Sequence, residues 1–131
     1  MNLVLAFDGS NSAKSAFVLT QKFAKASKAK VYIVTSLIGG KASDADAIDE
    51  ANTRLEYAQK TMAQAGIICE KHLLVRGLEP GEDIVNFASD INADFIVVGI
   101  VKTSRVQKGL FGSTAQHVIL EAKCPVITVK E

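Results

Sequence analysis

Segments of strand character and segments of helical period alternate without exception along this chain, and that alternation restricts its fold more than any other feature. Short apolar runs stand at Leu3 to Phe7, Val31 to Ser36, Ile68 to Arg76, Phe95 to Gly99 and Val126 to Val129. Between them, apolar residues recur every three or four positions, the spacing that lines one face of a helix. The first helical stretch carries Ala13, Ala16, Phe17, Thr20, Phe23 and Ala24; the second carries Ile48, Ala51, Leu55, Ala58, Met62 and Ala65 before Gly66 ends it. The third opens near Pro80 and presents Ile84, Phe87, Ala88 and Ile91, and the fourth follows Gly112 and Ser113 with Ala115, Val118, Ile119 and Ala122 inward.

Parallel strands need crossover connections, which helices supply, and a strand covered by helices on both faces is apolar throughout. The first and fourth runs have that character. The expected architecture is therefore α/β: a doubly wound, five-stranded parallel sheet of flavodoxin-like topology, taken here with strand order 3-2-1-4-5. One long irregular piece, Ile100 to Phe111, interrupts the alternation. In open sheets of this kind a ligand crevice forms beyond the carboxyl ends of the strands, where the strand order reverses. For the order given, that point lies between the first and fourth strands, with Asp8 at one lip and Gly99 at the other.

Bulk properties exclude several classes of function. At 131 residues one core suffices, so a single domain over 1–131 is expected. Fifteen basic and 14 acidic residues leave a net charge of +1, which argues against a nucleic-acid face or a polybasic membrane segment. The N-terminal apolar run is short, meets Asp8 and lacks a basic flank, so it reads as a strand and not as a signal peptide. No apolar stretch nears the roughly 20 residues that span a bilayer. Cys69 and Cys124 stand in no metal or redox spacing and read as reduced core thiols. The expectation is a soluble, cytoplasmic protein.

The segment from Gly99 to Thr114 has the composition of a phosphate cradle. Gly112 admits an anion to the backbone, Ser113 and Thr114 offer hydroxyls, and the free amides of a first helical turn point the same way. Lys102, Arg105 and Lys108 add cations. Plainer readings stand beside this one. Asp8 or Ser10 suits the cap of the first helix, Ser113 suits the cap of the fourth, and scattered lysines are commonly a solvated loop. His72 and His117 have no third ligand at metal spacing. No GxxxxGK[ST], GxGxxG or GxSxG motif is present, and the third strand ends Val75-Arg76-Gly77 where a receiver domain needs aspartate.

The VVG at 97–99, the GS at 112–113, the closing CPVITV at 124–129 and the opening AFDGSNSAKSA together resemble the universal stress protein family over essentially the whole chain. The resemblance implies an adenine nucleotide alpha hydrolase-like form of the doubly wound sheet and a stress-response role. The family's nucleotide binders carry G-x2-G-x9-G-[S/T], whose first glycine falls on Gly99 and last pair on Gly112-Ser113, while the middle glycine is replaced by Lys102. The implied ligand is ATP or another adenine nucleotide, with Mg²⁺ as a companion ion. The implied site comprises Ala6, Phe7 and Asp8 after the first strand, and Ser36 at the end of the second, whose backbone meets the adenine edge. Gly99, Lys102, Ser104, Lys108, Gly112, Ser113 and Thr114 complete it around the loop. Ala115 stands where many binders have Ser or Thr. Relatives pair through the last strand, so a homodimer is implied. No acid lies between Gly99 and Leu120, so binding without strong catalysis is expected. The alternative is a dimeric interaction protein whose nucleotide site has been lost.

Overall fold

The computed structural model describes residues 1–101 and 112–131. The elements run β1 (Asn2–Ala6), α1 (Asn11–Ser27), β2 (Lys30–Leu37), a short 3-10 turn (Ala42–Asp44), α2 (Ala45–Gln64) and β3 (Cys69–Val75). They continue α3 (Pro80–Asp90), β4 (Phe95–Ile100), α4 (Ser113–Glu121) and β5 (Val126–Lys130). All strands pair in parallel, as the alternation implies, and their order is β3-β2-β1-β4-β5, the one expected. Ile100, the first residue of the expected irregular piece, instead closes β4 opposite Lys130. Lys102, Ser104, Arg105 and Lys108 lie outside the described residues.

Successive side chains of a strand point to opposite faces, and here they separate two cores cleanly. Leu3, Leu5, Val31, Ile33 and Val97 face α1 and α2, where Ala16, Ala24, Leu55, Ala58 and Met62 meet them. Val4, Ala6, Val34, Ile96, Val98 and Ile100 face α3 and α4, against Ile84, Phe87, Ala88, Ala115 and Val118. β1, at the centre, is buried from Leu3 to Ala6. The uninterrupted apolar runs of β1 and β4 thus come from coverage on both sides.

One helical expectation fails. Ile119 is exposed, whereas Ala115 and Val118 are buried and Ala122 packs partly against the core. α4 packs mainly against α3 and more sparsely against β4, so only a narrow stripe of it finds apolar partners. Ile119, one residue beyond Val118, is turned about 100° out of that stripe. Both thiols, Cys69 and Cys124, are free and partly buried. Burial is the leading cause that pushes the Cys69 pKa up to about 11, and it also raises that of Cys124. Among the described residues no helix is long and apolar enough to cross a membrane.

Candidate functional site

β1 leads through α1 to β2 on one side, whereas α3 carries the chain across to β4 on the other. At the carboxyl ends of β1 and β4, where the strand order reverses, lies a cleft of about 340 Å³. Its walls include Ala6, Phe7 and Asp8 after β1, Ser36 near the end of β2, Gly99 near the end of β4, and Gly112, Ser113 and Thr114 at the start of α4. Eight of the residues singled out from the sequence thus meet around one opening. Thr35, Ser12, Pro80, Ile84 and the buried Ala115 also line it.

The loop after β1 resolves the competition for the cap of α1. Ser10 is the cap, its hydroxyl accepting the Ala13 amide at 3.2 Å. Asp8 sits outside the helix, exposed, and its Oδ1 accepts the Ser10 amide at 2.9 Å. The carboxylate therefore braces the turn while remaining on the cleft wall.

At the opposite wall the cap of α4 is Gly112, not Ser113, which is the first helical residue. Gly112 has φ 89° and ψ 148°, a conformation strained for any residue with a Cβ, and it leaves the helix with no side-chain cap bond. Gln116 already donates its amide to the Gly112 carbonyl, so the amides of the first turn before it have no intrahelical acceptor. Ser113 and Thr114, the first two residues of that turn, line the cleft. A helix terminus of this kind favours an anion through its free N–H groups and its dipole.

Gly99 has a different reason for its identity. A Cβ there would come within 2.3 Å of the Ser12 carbonyl oxygen and 2.9 Å of the Ala13 nitrogen. The missing side chain lets the first turn of α1 close on the end of β4, which brings the wall after β1 up to the wall after β4.

Residues that the sequence reading passed over complete the β2 end. Ser36 donates its hydroxyl to Asp83 Oδ2 at 2.7 Å, and Asp83 is fully buried. Arg76 donates Nε to Asp83 Oδ1 at 2.7 Å and pairs Nη2 with the same oxygen at 2.5 Å. Thr35 donates its hydroxyl to the Phe7 carbonyl, tying β2 to β1. A signal for Asp83 exists, since it precedes Phe87 by four residues and so falls on the apolar stripe of α3. Its neighbours Glu79 and Glu82 are exposed. Among the described residues no three His, Cys, Asp or Glu side chains gather to hold a metal ion.

A model of the universal stress protein family matches residues 1–130. The chain belongs to that family. A universal stress protein of Thermus aquaticus is 33% identical over 134 residues, covering 98% of this chain and 97% of that one. A solved universal stress protein of Archaeoglobus fulgidus is 41% identical with a TM-score of 0.89, over 99% of this chain and 98% of that one. Another structure from that organism, solved in complex with dAMP, is 37% identical with a TM-score of 0.82, again over 99% and 98%. The order 3-2-1-4-5 is thus the flavodoxin-like arrangement of the universal stress proteins.

Proposed function

We propose that this universal stress protein domain, spanning 1–131, binds ATP or another adenine nucleotide in the cleft as a stress-response module. The observation that carries this reading is the chemical polarity of the cleft. Its α4 end offers backbone amides and the hydroxyls of Ser113 and Thr114, groups that suit phosphate oxygens. Its other end offers the Asp8 carboxylate, an acceptor suited to ribose hydroxyls. A nucleotide has the matching sequence of groups, with phosphate acceptors at one end and hydroxyl and amine donors at the other. The A. fulgidus relative in complex with dAMP supports the same class of ligand. Lys102, Ser104 and Lys108 would add phosphate contacts, and the backbone of Ser36 would face the base.

The role is binding and not turnover. The cleft wall contributes one carboxylate, Asp8, at the end away from the phosphates, and the sequence has no acid from Gly99 to Leu120 to orient an attacking water. A Mg²⁺ ion would arrive with the phosphates, with Ser113 and Thr114 as its hydroxyl neighbours. We further propose a cytoplasmic homodimer joined through β5, an edge strand that among the described residues pairs only with β4 and would otherwise leave its outer edge open.

Isothermal titration with ATP, AMP and adenosine at near-physiological salt tests the reading. Saturable heat with the phosphorylated ligands is expected, as is an adenine chromophore released on denaturing the purified protein. Absence of heat at millimolar nucleotide would favour the ligand-free interaction protein instead.

A further inference from the structure

Of the oxygen-bearing side chains that wall the β1/β2 end of the cleft, Thr35, Ser36 and Asp8 have their hydrogen-bonding sense fixed by bonds inside the protein, whereas the Ser10 and Ser12 hydroxyls share a 3.1 Å bond in which either can donate. Thr35 has given its proton to the Phe7 carbonyl, which can only accept. Ser36 has given its proton to Asp83 Oδ2. Asp8 is a carboxylate that already takes the Ser10 amide. Each oxygen keeps lone pairs, and none of the three has a proton left to offer a ligand.

The Ser36 proton is held by an arrangement well outside the cleft wall. Asp83 has no exposed surface, and both of the bonds at its Oδ1 come from Arg76, a residue with donors only. A buried carboxylate gripped on one oxygen by a guanidinium must draw a donor to the other, because an unsatisfied buried oxygen is costly. Ser36 is that donor, and turning its proton towards the cleft would leave Asp83 Oδ2 without it.

We propose that Asp83, acting through Ser36, makes the protein select 6-amino over 6-oxo purines. Resting on the nucleotide reading above, this inference names the feature of the base that is read. With its proton committed, the Ser36 oxygen accepts from an exocyclic amine and repels a carbonyl oxygen at the same ring position. Asp83 is a positioning residue, since it meets Ser36 and not the ligand.

AMP and IMP, which differ only on the ring edge carrying amine or carbonyl, provide the test. The unaltered protein should bind AMP about tenfold or more tightly than IMP, the scale of one misdirected hydrogen bond. In Asp83→Asn the side-chain amide can donate to Ser36, freeing the serine proton for the cleft. IMP should then bind more tightly than it does to the unaltered protein, and the ratio should approach one. General damage to the cleft would weaken both ligands and could not produce that gain.

Ser36→Ala removes the hydroxyl itself and should also abolish the preference, which keeps the proposal open to refutation where Asp83→Asn fails to fold. Arg76→Lys preserves the cation beside Asp83 and should retain the preference. A tenfold preference that persists in Ser36→Ala overturns the proposal. So does equal binding of AMP and IMP by the unaltered protein, a result that leaves the nucleotide reading intact. Binding of neither ligand overturns both.

Discussion

Gly99 and Ser12 stand so close that a Cβ on the glycine would lie 2.3 Å from the serine carbonyl oxygen. The obstacle is helix backbone, which cannot swing aside as a flexible side chain does. Gly99→Ala should therefore force α1 away from β4 and cost about 1–3 kcal/mol of stability. Because Ser12 and Ala13 line the cleft, nucleotide affinity should fall with it. Urea denaturation checks the first effect and titration with AMP the second. A midpoint equal to that of the unaltered protein would show that the contact is loose.

At Gly112 the requirement is torsional. With φ at 89° and ψ at 148°, a substituted residue pays a strain of about 1–3 kcal/mol. Relief of that strain would rotate the first amides of α4 away from the cleft. Gly112→Ala should accordingly weaken AMP more than adenosine, as read by paired titrations. Parallel loss for both ligands would separate Gly112 from the phosphate end.

Ser113 and Asp8 should be distinguishable by ligand. Ser113→Ala removes a hydroxyl at the α4 end and should weaken ATP about tenfold while leaving adenosine nearly unchanged. Asp8→Ala should weaken ATP and adenosine alike, since the proposed site sets the carboxylate against the part they share. Equal losses of ATP and adenosine in the Ser113 variant would refute its assignment to phosphate.

Cys69 predicts a pH effect of definite sign. Burial pushes its thiol from the ordinary 9.0 up to about 11. Between those values the unfolded chain has released the proton and the folded chain has kept it, so unfolding becomes easier as pH rises. Below the lower value both states are protonated and the thiol contributes nothing. The urea midpoint should thus fall more between pH 8 and 10.5 in the unaltered protein than in Cys69→Ala. Identical pH profiles would show that the thiol reaches solvent.

Hydrophobic period carried most of the fold. Alternation of apolar runs with three-and-four spacing identified every strand to within one residue and every long helix to within three, because burial on one or two faces imprints itself on local composition. Crossover rules then led to a doubly wound parallel sheet, and with the order 3-2-1-4-5 that sheet has its crevice where Asp8, Ser36, Gly99 and Gly112 meet.

What the sequence determined by itself was therefore the arrangement of elements and the neighbourhood of the site, since both follow from regularities that repeat along the chain. Tertiary structure alone decided what Asp83, set by its spacing on the apolar stripe of α3, would pair with once buried, namely Arg76 and Ser36. Ser36 and Asp83 are 47 positions apart, and the packing of α3 over β2 is what makes them neighbours. It also decided that Gly99 serves the approach of α1, that Ser10 and not Asp8 caps that helix, and that Ile119 faces outward. Period reports the average surroundings of a face. The partner of a single polar atom depends on which other element covers it, and that is settled only when the elements pack.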